Sequence, residues 1–569
     1  MSADLRAMNP SAADARLPIL ASRRALALGG VSIAVTLLLF VWVQELRASE
    51  PDGRLTAVFR FMFAYHDYYG ALVLAVLTAL AIFFNQRAAA LALLRWLGEH
   101  PRAVAALTTL ALLVGTWVVY QRYPLSMDEY APYFQSKAFA AFHLTGQMPA
   151  ANVDWFIPPG DQRLFFYVSH QTGEAISFYW PSFALLLTPF MWLGIPWALN
   201  PILSGLTLLV LHRLAIRMFA SSEAAGLAVL LTLASPVFFA NGISFYSMTA
   251  HMLASGLFTL LLLDPTPRRL IGAGLVGSVA LTLHNPVPHV LWSLPWLLWV
   301  LIHRDFLRRS AYLAIGYLPF CIGLGLGWYL LGKAVLVPAP GIPSPADTPF
   351  SDYFGLPTDW LVYVRAIGFS KIWLWATPLL LLLAGVGTWR WRRENPVRLL
   401  AWSAFLTAFG YMFLWVEQGH GWGFRYFHSA WIALPLLAAG AFAPVPARTP
   451  DAWAGDTHAR AYVVACALLS LVFAVGFRGW QIQEFIAAHR SHTPQPAGTP
   501  DSPRVEIYDP SHVLYVTDLV QNDPLLRDPV IRVISHGPRA NEAFVHAFRP
   551  GYVRTRNNMF GEVWEPVPR

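Results

Sequence analysis

The chain has 569 residues, of which 56% are hydrophobic and only 13% are charged. Soluble domains contain roughly one-quarter charged residues, so this composition indicates a protein that crosses a membrane many times. The formal net charge of +8 comes from arginines in short loops between apolar runs rather than from one basic domain, which argues against a nucleic-acid partner. Both cysteines, Cys321 and Cys466, lie inside apolar runs, so the sequence indicates neither a disulfide framework nor a thiolate metal site.

The arginine-rich N-terminus precedes an apolar run that reaches about Val43. This run is too long for a signal peptide and has no clear small-residue cleavage site, so we interpret it as a retained first span. A loop follows, then a second span from about Gly70 to Phe84 and a third from about Ala103 to Tyr120. We assign residues 1–102 to an N-terminal extension with two transmembrane helices. If the basic N-terminus is cytoplasmic, the third span ends on the outer side of the membrane.

Apolar runs continue after the third span. Ten further spans are predicted at about 184–211, 223–240, 247–263, 270–284, 288–302, 311–331, 372–389, 399–416, 429–444 and 461–478. Short loops on the inner side hold clusters of arginine, whereas short outer turns hold almost none, as the positive-inside rule requires. The sequence therefore predicts an all-α polytopic membrane protein with about thirteen transmembrane helices, whose main module covers residues 103–480.

Two long loops, residues 121–182 and 332–371, are predicted on the outer side. In the first loop Ser126 is followed three residues later by Glu129, a spacing that predicts the start of an amphipathic helix lying at the membrane surface. Asp128 and Glu129 would then stand within reach of a lipid head group. Two readings remain open, because acids favour a first helical turn on local grounds alone: the pair carries chemistry, or it merely caps the helix.

The polar C-terminal part, residues 481–569, is predicted to form a small α/β unit on the outer face. A linker, SHTPQPAGTPDSP, leads into it. The segments HVLYVTDLV and PVIRVIS have the composition of short strands, and NEAFVHAF and GYVRTRNNMFGEVW follow them. This unit either binds an acceptor or docks the protein into an envelope assembly.

Polar residues gather at the outer ends of the predicted spans, at the depth expected for Asp128. Ionisable groups at a membrane span are costly unless they are paired or functional, so these residues are predicted to line one substrate cavity. The predicted cavity residues are Tyr130, Tyr246, His251, His284, His289, His420 and Tyr426. No cofactor is certain: Asp128, Glu129 and His251 are candidate ligands of a divalent metal ion, and the alternative is that each histidine is satisfied by a backbone carbonyl.

Glycosyl transfer from a polyprenyl phosphate needs a carboxylate that takes the proton of an acceptor hydroxyl, and cations that stabilise the phosphate leaving group. Asp128 fits the first role. Arg425 fits the second by donating two parallel N–H groups, and Lys137 and Lys371, both on the predicted outer side, fit it as point charges. The alternative is that the position of so few lysines on the outer side has no functional meaning.

The order of motifs resembles the GT-C superfamily of membrane glycosyltransferases, close to protein O-mannosyltransferases and bacterial lipid A aminoarabinose transferases. The resemblance covers about Val104 to Trp480. The matching segments are YPLSMDEYAPYFQSKAFAAFHLTG, YWPSFALLLTPFMWLG, SPVFFANGISFYSMTAHMLASGLFTLLLL, HNPVPHVLWSLPWLL and GHGWGFRYFHSAWIALPLL. The chain departs from the family in its two extra N-terminal spans, and in His284 and Asn285, which stand where many relatives have an arginine before the proline.

The resemblance implies an inverting transfer from a polyprenyl-phosphate sugar donor to a lipid, glycan or protein hydroxyl, on the outer face of a bacterial inner membrane. It makes Asp128 the base, Glu129 its acidic neighbour and Arg425 the late-span arginine. The N-terminus would be cytoplasmic and the C-terminal unit periplasmic. Two other functions stay open: a transporter or flippase of envelope lipids, which predicts polar residues near mid-span, and a non-catalytic envelope scaffold.

Overall fold

The computed structural model describes residues 22–48, 57–84, 86–302, 304–336, 353–416, 419–446, 451–494, 502–512 and 515–567, apart from the side chain of Arg163. The N-terminal part is helical. Its helices are α1 (Arg23–Ala48), α2 (Ala57–Phe61), α3 (Tyr68–Leu80), α4 (Arg87–Glu99) and α5 (Pro101–Val118). A π-helical segment, Met62–Asp67, joins α2 to α3, so one helix runs from Ala57 to Phe83.

This second helix begins earlier than the sequence predicts. Residues 57–69 were expected in a loop, because Arg60, His66 and Asp67 interrupt the apolar run. In the structure His66 and Asp67 are buried against the bundle instead. The polar residues mark a buried helix face there and not a break between elements.

The first outer loop folds into a compact layer. It contains α6 (Met127–Ala140), β1 (Gly146–Gln147), α7 (Val153–Phe156), β2 (Phe166–Val168) and β3 (Glu174–Ser177). The three strands form an antiparallel sheet in the order β1-β3-β2. The helix that is predicted to begin at Ser126 is confirmed as α6, and its buried Tyr130, Ala131 and Phe134 belong to a core that includes residues of the C-terminal part. No residue of α6 is exposed, so the prediction of an amphipathic helix lying at a surface is wrong.

The remaining helices form the bundle. They are α8 (Ser182–Trp192), α9 (Leu199–Phe219), α10 (Ser222–Leu233), α11 (Pro236–Gly242), α12 (Met248–Leu262), α13 (Pro267–Leu281), α14 (Val287–Leu301), α15 (Phe306–Phe320), α16 (Gly327–Val335), α17 (Asp359–Leu374), α18 (Leu380–Arg390), α19 (Asn395–Gly410), α20 (Arg425–His428), α21 (Ala433–Ala439), α22 (Thr457–Leu469) and α23 (Val475–Ser491). Small residues permit close packing: a Cβ on Gly274 of α13 would lie 2.4 Å from the carbonyl oxygen of Leu313 on α15.

The multi-span fold is confirmed, but the spans are less regular than the predicted thirteen. Among the described residues six helices are long and apolar enough to cross a membrane, or seven if α10 and α11, which meet at 67°, form one broken span. Four further apolar helices are shorter, at 10–17 residues. Prolines explain two of the breaks, since Pro196 separates α8 from α9 and Pro236 begins α11. Lipid-facing residues such as Leu38, Leu110 and Ile322 are exposed, as contact with a bilayer requires.

Arginines at several helix ends pair with acids from neighbouring segments. Glu223 accepts Arg95 at 2.8 Å and Arg460 at 2.6 Å. Asp264 likewise pairs with both Arg217 and Arg269. These contacts join helix ends that are distant in sequence.

The C-terminal unit is α/β, as predicted, with different element bounds. Its elements are β4 (Arg504–Tyr508), β5 (Val530–Ile534), α24 (Pro538–Phe548), β6 (Tyr552–Asn558) and β7 (Gly561–Pro566). The sheet order is β5-β4-β7-β6, with β4 and β5 parallel and the other pairs antiparallel. The predicted strand HVLYVTDLV is wrong: residues 516–519 form a short 3-10 helix, and residues 513–514 lie outside the described part. Apolar side chains of this unit and of the first outer loop share one core.

Candidate active site

Glu129 anchors the start of α6 to the bundle. Ser126, the residue before the helix, has extended backbone angles, and its amide donates to Glu129 Oε2 at 3.3 Å. The same carboxylate accepts the amides of Leu125 (2.7 Å) and Phe245 (2.8 Å) and the hydroxyl of Tyr120 (2.7 Å). Burial raises the pKa of Glu129 to about 7, and these four donors oppose that rise. Glu129 is fully buried, does not line the cavity of Asp128 and Arg425, and anchors the helix start through these contacts; its catalytic role stays a prediction.

Asp128, one residue earlier, points the other way. Its Oδ2 lies 2.8 Å from Nη1 of Arg425, and its Oδ1 accepts a hydrogen bond from the hydroxyl of Tyr179. Burial alone would raise the pKa of Asp128, but the Arg425 guanidinium and the Tyr179 hydroxyl outweigh burial and hold the pKa below its usual value. The side chain is therefore an ionised carboxylate at neutral pH.

A glycine-rich turn positions Arg425. Gly419, Gly421 and Gly423 have φ angles of 107°, 143° and 85°, which other residues rarely adopt. This turn brings the carbonyl oxygen of His420 to 3.0 Å from Nε of Arg425 and the carbonyl oxygen of Gly419 to 2.8 Å from its amide. Burial lowers the pKa of Arg425, but nearby hydroxyl and carboxyl groups raise it above its usual value, so the side chain stays cationic.

Asp128 and Arg425 line a cavity of about 640 Å³. The helix from Ala57, the first turn of α6, the glycine-rich turn, the end of α23 and the C-terminal unit form its walls. Of the residues that the sequence predicts for the site, Asp128, Tyr246, His420 and Arg425 line this cavity. The predicted convergence of the first outer loop with the late arginine is thus confirmed as geometry.

The two lysines predicted to bind phosphate lie elsewhere. Lys137 is paired with Asp528 at 3.6 Å and borders a separate surface groove. Lys371 was expected in the second outer loop, but α17 already begins at Asp359, so Lys371 is inside the bundle. Its ammonium is fully buried, 2.7 Å from Oδ2 of Asp67, and it does not line the cavity. The prediction that these lysines stand beside Asp128 is wrong.

Tyr130 and Tyr426 also lie outside the cavity lining. The hydroxyl of Tyr130 donates to the carbonyl oxygen of Asn522 at 2.7 Å, which joins the first outer loop to the C-terminal unit. Tyr426 stacks on Tyr411 with ring centroids 4.4 Å apart. Both side chains support the walls of the site rather than its interior.

Three predicted histidines lie behind the site. His284 stacks on Tyr179, the tyrosine that hydrogen-bonds to Asp128, with 4.0 Å between ring centroids. His289 is within 2.8 Å of the Tyr317 hydroxyl. His251 is buried, and its Nε2 has no hydrogen-bond partner among the described residues.

The proposed metal ligands do not come together. Glu129 is engaged by four donors, Asp128 by Arg425 and Tyr179, and His251 does not line the cavity. Within the described ranges, no three histidine, cysteine, aspartate or glutamate side chains are grouped so that they could hold a metal ion. Asp128, Glu129 and His251 therefore do not fit a divalent metal ion.

Several residues at the site are not predicted from the sequence. Tyr179, which hydrogen-bonds to Asp128 but does not line the cavity, lies among many aromatic residues in its loop. Asp518 lines the cavity and lies in a segment with the alternation of a strand. The other cavity residues are His66, Glu484, His489, His492, His512 and Tyr515. For Glu484, His489 and His492 the available signal is the helical continuation past residue 478, the predicted end of the last span, because α23 extends to Ser491.

No family model matches the chain, and no curated protein sequence matches it. Among solved structures, it is similar to the crystal structure of ArnT from Cupriavidus metallidurans bound to undecaprenyl phosphate, with 13% sequence identity and a TM-score of 0.47. It is also similar to the crystal structure of the same protein in the apo state, with 12% identity and a TM-score of 0.44. Each comparison covers 81% of this chain and 97% of that chain.

Proposed function

We propose that this protein is a GT-C type glycosyltransferase that moves a sugar, with inversion, from a polyprenyl-phosphate donor to a hydroxyl group of a lipid, glycan or protein acceptor. The observation that carries the proposal is the pairing of Asp128 with Arg425 in one cavity at the end of a membrane bundle. A base and a phosphate-binding cation are the two groups that this reaction requires. The motif order of the sequence supports the same assignment.

In the resting site the two groups neutralise each other. A donor phosphate that enters would compete for the Arg425 guanidinium, whose planar fork suits phosphate oxygens. Asp128 would then lose the cation that lowers its pKa and become a stronger base, while Tyr179 continues to orient its Oδ1. Donor binding and activation of the base are thereby one event.

The transfer then proceeds in line. Asp128 takes the proton from the acceptor hydroxyl as that oxygen forms a bond to the anomeric carbon. The bond between the anomeric carbon and the phosphate oxygen breaks, and its electron pair leaves with the polyprenyl phosphate, whose charge Arg425 stabilises. The leaving group is already anionic, so no general acid is needed.

We place the cavity on the outer side of a bacterial inner membrane, with a cytoplasmic N-terminus and a periplasmic C-terminal unit. The arginines at helix ends that pair with Glu223 and Asp264 support this orientation, because the positive-inside rule places such arginines on the cytoplasmic side. The polyprenyl chain would reach the cavity from the bilayer, beside the helix from Ala57.

The test is mass spectrometry of envelope lipids and glycans from a strain without the protein, complemented by wild type, Asp128→Asn or Asp154→Asn. Asp154 is a matched control, because it lies in the same outer loop, pairs with His170 at 3.0 Å and does not line the cavity. We expect wild type and Asp154→Asn to restore one glycosylated species and Asp128→Asn to reduce it by about 10² to 10⁴. Restoration by Asp128→Asn at matched expression would show that Asp128 only caps the helix.

A further inference from the structure

Asp518 brings the C-terminal unit into the cavity. It lies in the short 3-10 helix Val516–Leu519 and lines the same cavity as Asp128. Its Oδ1 accepts the amide of Met127, the first residue of α6, at 2.7 Å. The first amides of a helix have no partner inside the helix, so this carboxyl group fixes the turn that carries Asp128. The contact bridges 391 positions of the chain.

The surroundings of Asp518 disfavour a negative charge. Asp128, Glu129 and Asp161 lie close enough to repel it, and Arg425, which lines the same cavity, is already paired with Asp128. In the described part of the chain no lysine or arginine forms an ion pair with Asp518. Burial raises the pKa of Asp518 well above its usual value, the amide that it binds opposes the rise, and the three acids add to it.

The second oxygen of Asp518 is available to a ligand. Its side chain is partly exposed, and the single hydrogen bond of its carboxyl group to a described residue uses Oδ1. The Tyr123 hydroxyl, 3.2 Å away, donates to the backbone carbonyl and leaves the carboxyl group free. The other titratable groups that line the cavity on these two elements are His512 and Tyr515 on the same unit, Glu484 and His489 on α23, and His492 directly after α23.

We propose that Asp518 is protonated in the resting site, holds the Met127 amide through one oxygen and donates a hydrogen bond from the other to an oxygen atom of the bound substrate. The substrate oxygen that accepts this hydrogen bond is a sugar or phosphate oxygen. It belongs either to the polyprenyl-phosphate sugar donor or to the molecule that receives the sugar. This inference rests on the proposed function. It makes the C-terminal unit a part of the active site and not only a docking module.

Substitution of Asp518 by asparagine and by alanine distinguishes a protonated carboxyl group from an ionised one. Asp518→Asn keeps a carbonyl oxygen for the Met127 amide and places an NH₂ donor where the protonated acid has its O–H. Asp518→Ala removes both groups. The control is Asp509→Asn, since Asp509 belongs to the same unit, accepts the Ser511 amide at 2.8 Å and does not line the cavity.

Steady-state transfer by the full-length protein in detergent, with donor and acceptor varied separately, gives the first readout. We expect Asp518→Asn and the control to stay within about threefold of wild type, and Asp518→Ala to lose about tenfold to hundredfold in kcat/KM. A rise in KM for one substrate identifies which molecule carries the bound oxygen. If Asp518→Asn falls as far as Asp518→Ala while the control stays active, Asp518 acts as a carboxylate and the proposal is overturned; full activity of Asp518→Ala overturns it too.

Two readouts do not depend on transfer activity, so they test the inference even if wild type transfers no sugar. The infrared difference spectrum between wild type and Asp518→Asn at neutral pH should contain the carbonyl band of one protonated carboxyl group, because the other buried acids are common to both proteins. Hydrogen exchange of the peptide that spans residues 124–132 should be faster in Asp518→Ala and unchanged in Asp518→Asn. A difference spectrum without that band, or exchange that is unchanged in Asp518→Ala, would overturn the proposal.

Discussion

Two ion pairs, Asp128–Arg425 and Asp67–Lys371, differ in whether a ligand in the cavity can reach them. Asp128 and Arg425 are 11% and 7% exposed and border the cavity, whereas Asp67 and Lys371 are both fully buried. Asp67 is also 3.2 Å from Arg478 and accepts the indole N–H of Trp375 at 2.6 Å. In the first pair Arg425 can exchange Asp128 for a ligand that enters the cavity. In the second pair Lys371 cannot exchange Asp67, because no ligand reaches it. Residue types alone do not distinguish a site from a scaffold, but access to a cavity does.

The largest effect is expected from Asp67→Asn. It leaves Lys371 and Arg478 buried without their carboxylate, and the loss of one partner of a buried ion pair costs about 3–5 kcal/mol. The variant should give little folded protein and a lowered midpoint of thermal unfolding in detergent. Lys371→Met is the informative companion, because it leaves one acid with one cation and should be milder. An equal fall of the unfolding midpoint in both variants would contradict the prediction that the unpaired buried cations cause the loss of stability.

Arg425→Lys should preserve the fold and impair transfer. A lysine has one ammonium group and cannot keep the carbonyl oxygen of His420 while it offers a phosphate the two parallel N–H groups of a guanidinium. The loss of one hydrogen bond to a charged group corresponds to about a tenfold to hundredfold fall in kcat/KM. Kinetics with varied donor should show the change mainly as a higher KM for the donor. An unchanged donor KM would argue that Arg425 only neutralises Asp128.

Tyr179→Phe should move the pH dependence of transfer. Asp128 must be ionised to act as a base, so activity falls as the pH drops through its pKa. The Tyr179 hydroxyl contributes to the low pKa of Asp128, and its removal raises that pKa. The acidic limb of the kcat/KM profile should therefore shift to higher pH, with a smaller loss at neutral pH than in Arg425→Lys. If the acidic limb keeps its position in Tyr179→Phe, the group that titrates in it is not Asp128.

The local features of the site could be predicted from the sequence. The spacing from Ser126 to Glu129 predicts the start of α6 because a capping box needs only neighbouring residues. The neighbouring residues alone do not show which of the two acids faces the cavity, since that depends on the amide of Phe245, 116 positions away from Glu129; the family resemblance singled out Asp128. Arg425 was assigned to the correct end of the bundle because a span boundary fixes depth.

Long-range placement explains the errors. Lys371 was placed in a loop because Arg365 and Lys371 make α17 look polar, although both side chains are fully buried. Burial of a cation inside a bundle requires a partner, and Asp67 comes from a segment that also reads as a loop. Asp518 was missed because a fold contact, rather than its own neighbours, brings it to α6.

Lys137→Ala should have the smallest effect and tests whether exposure alone makes a site. Lys137 is accessible, but its ammonium pairs with Asp528 at 3.6 Å across a surface groove that does not contain Asp128. A solvent-exposed pair contributes about 0–1 kcal/mol, so thermal unfolding should change little. Transfer kinetics should match wild type, because no phosphate bound at Arg425 has to reach this groove. A raised KM for the donor alone would instead mean that the donor extends into the groove, and a raised KM for the acceptor alone would make the groove the acceptor's approach to the cavity.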